Sequence, residues 1–391
     1  MNFASNRARC VPWSGIRKMF SLAAQVPDAV NLSLGQPDFD TPAHVVEAAQ
    51  RALDEGDTQY TPGLGIAALR EAIAAKVWGE NNIQADPERE IIVTMGAMEG
   101  IYLALLAVVD AGDEVIIGDP TYANYDAQIL LVGGQPRRVA APESNGFKMH
   151  PDWIGSAVTG RTKLLMINSP ANPTGSVLSK ADLQAIADLA EHQDLLVLSD
   201  EPYEKFVYDD VEHVSLASLP GMKERTISVF SFSKTYSMTG WRLGYVVAPP
   251  RVIDEMQKMQ EDVAACVPGF VQQAGVAALT GSQQCVVRML EEYELRRRYI
   301  VKALDEIDGL TCPKPKGAFY AFPNCTYFGR LSEEVAEFLL KESGVVCVPG
   351  TAFGPAGEGH LRISYAASME QLEEGVDRIR KGIEELRRAS A

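Results

Sequence analysis

Short apolar segments alternate with longer segments of helical periodicity through roughly the first 285 residues of the chain. The apolar segments are rich in Val, Ile and Leu and lack strict alternation, which predicts strands that are buried on both faces. The predicted strands cover residues 91–94, 114–117, 163–168, 195–200, 226–230 and 244–248, and the predicted helices cover residues 67–77, 98–109, 180–192 and 252–263. This order predicts an α/β sheet with helices on both faces.

The pattern changes after about residue 285. A long charged helix is predicted over residues 286–305, and short strands follow around residues 317–322 and 360–364. The last predicted helix, over residues 371–388, is polar and amphipathic. This part of the chain is typical of a smaller α+β unit.

Composition excludes several classes of function. The chain has 391 residues, 46% of them hydrophobic, and a net charge of 36 − 52 = −16, which disfavours nucleic acid and anionic membranes as partners. It contains no apolar segment of membrane-spanning length. There is no secretory signal pattern, and the six cysteines lack C-x-x-C pairing, so free thiols in a reducing cytoplasm are expected.

Other binding motifs are also missing from the sequence. The five histidines are far apart and in no ligand spacing, so we expect no metal site. Neither a G-x-x-x-x-G-K-[ST] motif nor a G-x-G-x-x-G motif follows a predicted strand, which argues against a P-loop or a dinucleotide-binding protein.

The most informative motif follows the predicted strand 226–230. It reads SFSKTYSMTGWRLG and carries Ser231, Ser233, Lys234 and Arg242. A lysine at a strand end of an open α/β sheet stands where such sheets place their chemistry, and it can form a Schiff base with a carbonyl cofactor. The two hydroxyls and the guanidinium are donors that a phosphate needs. The alternative is a surface lysine in a serine-rich loop.

This motif resembles the lysine-attachment signature of the class I aminotransferases that depend on pyridoxal phosphate. The resemblance implies fold type I: a large domain with a mostly parallel seven-stranded sheet flanked by helices, plus a smaller α+β domain. We therefore predict a large domain over residues 41–285 and a small domain formed by residues 1–40 and 286–391. The implied cofactor is pyridoxal 5′-phosphate, held by Lys234.

Two further strand ends carry residues that match the family. Asp200 ends the predicted strand 195–200 and matches the carboxylate that keeps the pyridine nitrogen protonated, and Tyr203 matches the phenol that binds the 3′-oxygen of the cofactor. Alone, Asp200 is as readily a helix cap. The segment NSPANPTG ends strand 163–168, and its Asn172 matches the amide that donates to the same oxygen. A plain Asn-Pro turn is the alternative.

The turn after strand 91–94 matches the phosphate-binding turn of the family through Ala97 and Met98. Small residues there let backbone N–H groups approach a phosphate at a helix N-terminus, although many such turns are alike. Members specialised for dicarboxylates can carry lysine in place of Met98. Tyr122 matches the ring that stacks on the pyridine, whereas Tyr125 is interpreted as a core tyrosine.

The remaining matches concern the substrate and the partner subunit. Arg362 matches the arginine that binds the substrate carboxylate, with a structural salt bridge as the alternative. Gly35 matches the glycine that approaches the same carboxylate. Tyr60 matches a tyrosine that reaches the cofactor phosphate of the partner subunit, which implies a homodimer with shared active sites. Ordinary turn chemistry is the alternative at Gly35 and Tyr60.

The resemblance implies transamination between an L-amino acid and a 2-oxo acid with ping-pong kinetics. We expect glutamate and 2-oxoglutarate as one pair, and aspartate, an aromatic amino acid or alanine on the other side. Met98 argues mildly against a dedicated aspartate enzyme. A C–S β-lyase would use the same residues and is the main alternative, and a regulatory domain that binds the cofactor is a more distant one.

Overall fold

The computed structural model describes residues 3–13 and 15–390. Within them, the strands are β1 (Val30–Asn31), β2 (Ile91–Thr94), β3 (Glu114–Asp119), β4 (Gln135–Ala140), β5 (Thr162–Asn168), β6 (Leu196–Asp200), β7 (Thr226–Ser231), β8 (Gly244–Val247), β9 (Tyr320–Ala321), β10 (Val345–Val346), β11 (Val348–Pro349) and β12 (Leu361–Ser364). The helices are α1 (Asn6–Cys10), α2 (Gly15–Ala23), α3 (Ala43–Asp54), α4 (Ala67–Asn81), α5 (Gly96–Val108), α6 (Asn124–Val132), α7 (Pro151–Ala157), α8 (Lys180–His192), α9 (Phe232–Thr235), α10 (Pro250–Val263), α11 (Gly269–Thr280), α12 (Gln284–Asp305), α13 (Ser332–Ser343) and α14 (Met369–Ser390). None of the helices described combines the length and apolar character that crossing a membrane requires.

A seven-stranded sheet forms the centre of the molecule, in the order β2-β8-β7-β6-β5-β3-β4. Its neighbours pair in parallel, except that β8 is antiparallel to both β2 and β7. The strands β2, β5, β6 and β7 consequently run in one direction, and their carboxyl ends meet at one edge of the sheet. The register pairs Asn168 with Asp200 and Asp200 with Val229, so both lie near the carboxyl end of β7.

Apolar cores cover both faces of this sheet, as the uninterrupted apolar segments predict. One face packs against α5 and α10 through residues such as Leu103 and Met256. The other face packs against α8 through Ile186. Burial on both faces excludes water from the strands and leaves their carboxyl ends as the place where polar side chains gather.

The sequence pattern did not reveal the edge strand β4. Its residues include Pro136, Arg137 and Arg138, and only Val139 is buried. A proline cannot donate to a ladder and is tolerated at a sheet edge. Such a segment lacks the apolar signal of a central strand, so only the resemblance indicated a seventh strand.

A second structured unit lies beside the sheet. It contains the parallel pair β1-β10, the antiparallel sheet β11-β12-β9 and the helices α12, α13 and α14. Val30 pairs with Val345, and Leu32 is buried in the same apolar core as residues of α12, α13 and α14. The N-terminal segment therefore packs with the C-terminal part. The domain boundaries at 40/41 and 285/286 stay a prediction, and residues 1, 2, 14 and 391 of the predicted small domain lie outside the described residues.

Candidate active site

A cavity of about 360 Å³ opens at the carboxyl edge of the seven-stranded sheet. Twelve of the thirteen residues predicted from the sequence line it: Gly35, Ala97, Met98, Tyr122, Asn172, Asp200, Tyr203, Ser231, Ser233, Lys234, Arg242 and Arg362. Tyr60 is the exception, because it does not line the cavity and its side chain is 89% exposed. The structure thus gathers residues that lie more than 300 positions apart in the chain, such as Gly35 and Arg362.

Lys234 lies on the four-residue helix α9, directly after the buried strand β7. Its Nζ donates a hydrogen bond to the carbonyl oxygen of Gly35 at 2.6 Å. Burial lowers the pKa of this amine to about 8, the positive charges of Arg242 and Arg362 act in the same direction, and Asp200 opposes them. A lowered pKa raises the neutral, nucleophilic fraction of the amine near neutral pH.

Asp200 is the last residue of β6 and is fully enclosed on the sheet side of the cavity. Tyr125 donates a hydrogen bond to its Oδ2 at 2.5 Å, whereas its Oδ1 is buried and has no hydrogen-bond partner among the described residues. Burial raises the pKa of this carboxyl to about 7, which the bond from Tyr125 and the charge of Lys234 counteract. A buried, unsatisfied carboxylate oxygen is costly and calls for a donor from a bound group.

An anion cradle lies at the N-terminus of α5. Gly96 opens this helix with φ +76°, and a Cβ there would stand 2.7 Å from Nη2 of Arg242. A Cβ on Gly244 would stand 2.6 Å from the carbonyl carbon of Gly96. Gly244 therefore allows β8 to lie against the backbone of Gly96, and Gly96, in its left-handed conformation, leaves room for the guanidinium. Arg242 is held there by a hydrogen bond from its Nη1 to the carbonyl oxygen of Thr239 at 2.7 Å.

Hydroxyls and backbone donors complete this cradle. Ser231 and Ser233 directly precede Lys234 in the chain and line the cavity with Arg242, and the N–H of Ser233 donates to Oγ of Ser231 at 3.1 Å. Ala97 and Met98 belong to the first turn of α5, where N–H groups have no partner within the helix. Such donors, together with the helix dipole, favour a phosphate.

The proline-rich turn after β5 is fixed by its asparagines. Asn168 donates from Nδ2 to the carbonyl oxygen of Asp200 at 2.9 Å and accepts from the backbone N–H of Asn172 at 2.8 Å. The peptide bonds that precede Pro170 and Pro173 are both cis. These contacts tie Asn172 to the end of β6 and hold its amide at the wall of the cavity.

Arg362 lies on β12 and is only 2% exposed. Its Nη2 donates to the carbonyl oxygen of Ser33 at 2.5 Å and its Nη1 to Oδ1 of Asn172 at 3.1 Å, while its Nε has no hydrogen-bond partner within residues 3–13 and 15–390. The rings of Tyr320 and Phe353 lie 4.7 and 4.9 Å from the guanidinium carbon. No carboxylate of the described residues forms an ion pair with this arginine, so the salt-bridge alternative finds no partner.

Sequence reasoning missed two tyrosines that shape the site. The hydroxyl of Tyr320 lies 2.8 Å from that of Tyr203, and Tyr320 also lines the cavity. Tyr125 is 1% exposed, as expected for a core tyrosine, yet its hydroxyl binds Asp200. In a sequence, a buried tyrosine with a functional hydroxyl looks the same as one that only packs.

Tyr122 lines the same cavity. Its ring packs edge-on against that of Tyr125 with centroids 5.4 Å apart, and its hydroxyl accepts a hydrogen bond from Nδ2 of Asn124 at 3.2 Å. Burial raises the pKa of Tyr122 to about 12, so the phenol remains neutral at physiological pH. Its hydroxyl also lies 3.5 Å from the sulfur of Met98.

Comparisons with known proteins agree with one another. A family described as "Aminotransferase class I and II" matches residues 27–379. The aspartate aminotransferase of Pyrococcus abyssi is 49% identical over 383 residues, which cover 97% of this chain and 98% of the relative. The aromatic-amino-acid aminotransferase 2 of Thermococcus litoralis is 47% identical with the same coverage. The crystal structure of the aromatic aminotransferase from Pyrococcus horikoshii superimposes with a TM-score of 0.91 at 46% identity, covering 95% of this chain and 100% of the other.

Proposed function

The chain belongs to the class I and II aminotransferases, enzymes that depend on pyridoxal phosphate, and we propose that the cavity around Lys234 is where it moves the amino group. As in that family, the protein transfers an amino group between an amino acid and a 2-oxo acid, and its fold is fold type I. This location for the active site is supported by one observation: Lys234, the unsatisfied Oδ1 of Asp200 and the anion cradle all line the same cavity.

The residues around the cavity fit the cofactor at both of its polar ends. The cradle at Gly96, Gly244 and Arg242 has the space and the donors that a phosphate requires. At the other end, the unsatisfied oxygen of Asp200 fits a protonated pyridine nitrogen, because a buried carboxylate is stabilised by a cationic donor. The cavity therefore supplies what each end of pyridoxal phosphate needs.

Each of the lining residues has a role in this proposal. Ser231, Ser233, Arg242 and the N–H groups of Ala97 and Met98 would hold the phosphate. Asn172 and Tyr203 would bind the 3′-oxygen, and Tyr122 would cover one face of the ring and exclude water from it. When bound, the cofactor supplies an electron-withdrawing ring that stabilises negative charge at the α-carbon of the substrate.

Lys234 has two roles in turn. Its neutral amine would bind the cofactor covalently, which the lowered pKa of Lys234 favours. Once an amino acid had displaced it, the free amine would lie in the cavity and could take the α-proton of the substrate and return it at a neighbouring carbon, as a general base and then a general acid. Asp200 would hold the ring nitrogen protonated throughout.

Arg362 would hold the α-carboxylate of the substrate. A guanidinium that is buried without a carboxylate partner has lost its hydration and gains from a bidentate ion pair. The hydrogen bonds to Ser33 and Asn172 and the flanking rings of Tyr320 and Phe353 fix its position. A Cβ on Gly35 would stand 2.5 Å from the hydroxyl of Tyr320, so the glycine allows the backbone of the N-terminal segment to lie close to this ring.

For the substrates, we propose glutamate and 2-oxoglutarate as one pair, with aspartate, an aromatic amino acid or alanine as the other amino acid. The relatives named above act on aspartate or on aromatic amino acids, as their names say. Met98 places a thioether at the cavity wall where a lysine would favour dicarboxylates. None of the relatives quoted is named as a lyase.

A homodimer with shared sites is part of the proposal. Tyr60 is exposed, although its neighbour Thr61 is anchored by hydrogen bonds to Cys266 and Val267. An exposed aromatic ring on a fixed backbone is typical of a contact with a partner. All six cysteines are free, which fits a dimer that is located in a reducing cytoplasm.

The substitution Lys234→Ala tests the assignment of the site. We expect it to abolish turnover, because it removes both the attachment point and the base. Lys180→Ala is the matched control, since Lys180 is exposed at the start of α8, away from the cavity, and should leave turnover unchanged. Near-normal activity of the Lys234→Ala protein, once it is shown to be folded, would refute the role of Lys234.

A further inference from the structure

Tyr125 reaches Asp200 from helix α6, a part of the chain 75 residues away in sequence. Its ring is 1% exposed and its hydroxyl donates to Oδ2 of Asp200 at 2.5 Å. The other oxygen of the same carboxylate, Oδ1, has no hydrogen-bond partner among the described residues. The phenol therefore occupies one oxygen and leaves the second free for a bound group.

Opposing effects act on the pKa of Asp200. Burial raises its pKa to about 7 and the adjacent carboxylate of Glu201 acts in the same direction, whereas the hydrogen bond from Tyr125 and the charge of Lys234 lower it. Tyr122 faces it as a neutral phenol. The carboxylate of Glu201 is held on its own side by hydrogen bonds from Ser199 and Ser215 at 2.7 and 2.5 Å and a contact with His213 at 2.8 Å. Tyr125 is the group among these that donates a hydrogen bond to the side chain of Asp200.

We propose that Tyr125 is a positioning residue that orients Asp200 and keeps it ionised, so that the proton of the cofactor's ring nitrogen stays on the nitrogen. This rests on the proposed function, which places Oδ1 of Asp200 against that nitrogen. A phenol O–H can only donate to the carboxylate, and a hydrogen bond to an ionised acceptor stabilises the ionised form. The phenol itself stays protonated, because burial and the neighbouring Asp200 raise the pKa of Tyr125 well above its usual value.

Removal of this hydroxyl makes the carboxylate more basic. The proton between Oδ1 and the ring nitrogen then moves toward the carboxyl group, and the ring loses part of its capacity to withdraw electrons. Loss of a hydrogen bond to a charged acceptor changes such an equilibrium by about 10- to 100-fold. The ring of a phenylalanine would keep the edge-on packing against Tyr122.

The test is nitrogen-15 NMR of the loaded enzyme, with the cofactor labelled at its pyridine nitrogen, because the chemical shift of this nitrogen reports its protonation directly. We expect the wild type to show a protonated nitrogen near neutral pH and Tyr125→Phe to show a shift toward the unprotonated value. Tyr125→His retains an N–H donor and should restore part of the wild-type shift. Asp200→Asn supplies the reference for a nitrogen without a carboxylate partner.

Tyr208→Phe is the matched control for removing a buried hydroxyl. Tyr208 is 4% exposed and donates to the carbonyl oxygen of Ala318 at 2.6 Å, and it does not line the cavity. It should lower thermal stability without moving the nitrogen signal. If Tyr125→Phe cannot be loaded with cofactor, Tyr125→His and Tyr125→Leu give the same comparison of a donor with no donor.

The outcomes distinguish the role of Asp200 from the role of Tyr125. An unchanged signal in Asp200→Asn would show that Asp200 does not face the ring nitrogen, and the proposed role of Asp200 would fail. A changed signal in Asp200→Asn with wild-type signals in both Tyr125→Phe and Tyr208→Phe would overturn the role of Tyr125 alone.

Discussion

Lys234 and Gly35 are joined by a hydrogen bond of 2.6 Å from Nζ to the carbonyl oxygen, although 199 residues separate them in the sequence. The N-terminal segment therefore forms part of the wall around the amine. A side chain at position 35 would collide with the hydroxyl of Tyr320, so a glycine allows the backbone of this segment to lie close to Tyr320. The contact holds the amine while the surrounding positive charges and burial lower its pKa.

This lowered pKa predicts how cofactor capture depends on pH. Only the neutral amine attacks a carbonyl, so capture by the apoenzyme should rise about tenfold per pH unit below the pKa and level off above about pH 8. Rapid mixing with pyridoxal phosphate, trapping by borohydride and mass spectrometry of the peptide with Lys234 would measure this rate.

The charge of Arg362 provides the control for the pH profile of cofactor capture. Arg362→Met removes a positive charge that lowers the pKa of Lys234, so the midpoint should move to higher pH. A capture rate that keeps rising to about pH 10 in the wild type, as for an ordinary lysine, would contradict the lowered pKa.

Arg362 should matter far more for substrates that carry a carboxylate than for substrates that lack one. Arg362→Met removes two charge-assisted hydrogen bonds to the α-carboxylate, which predicts a loss of roughly 100-fold or more in kcat/KM for an amino acid. Arg362→Lys keeps the charge but not the planar fork, so an intermediate loss is expected. Steady-state kinetics on both variants measure this.

The corresponding amine, which lacks the carboxylate, is the diagnostic substrate. If Arg362 binds the carboxylate, the wild type and Arg362→Met should react with the amine at similar, slow rates, measured at a pH above the Lys234 midpoint of both proteins. A loss of the same size with the amine as with the amino acid would instead mean that Arg362 only supports the structure of the cavity.

Shared active sites predict complementation between two defective chains. One chain carries Lys234→Ala and the other carries Tyr60→Ala, and the hybrid dimer is purified through different tags. If Tyr60 completes the site of its partner, one site of the hybrid has both defects and the other has neither. The hybrid should then show about half of the wild-type activity per dimer. Activity of no more than half that of the Tyr60→Ala dimer would exclude a shared site.

Much of the architecture could be predicted from the sequence. Strand β2 and helix α8 have the predicted bounds, because Ile91–Thr94 is wholly buried and Ser179 caps the helix through a capping box. Lys234 and Asp200 could be found because each lies at or just past the end of a buried apolar strand. The β4 strand could not, since Pro136 and two arginines conceal an edge strand.

The pattern of hydrophobic and polar residues did not predict the tertiary contacts of the site. The bond from Tyr125 to Asp200 and the approach of Tyr320 to Tyr203 depend on how α6 and β9 pack against the sheet. Nothing in the residues around either tyrosine distinguishes it from a core aromatic. The role of Tyr60 stays a prediction for the same reason, because its contact lies beyond a single chain.

The most direct test of transamination is a single half-reaction. The purified enzyme is loaded with pyridoxal phosphate, and its visible absorbance is recorded while glutamate, aspartate, phenylalanine or alanine is added without a 2-oxo acid. We predict that the absorbance of the lysine-bound cofactor disappears as one equivalent of the matching 2-oxo acid forms, and that added 2-oxoglutarate restores it. Absorbance that persists with every amino acid, or continuous release of ammonia and pyruvate from a cysteine conjugate, would contradict the account.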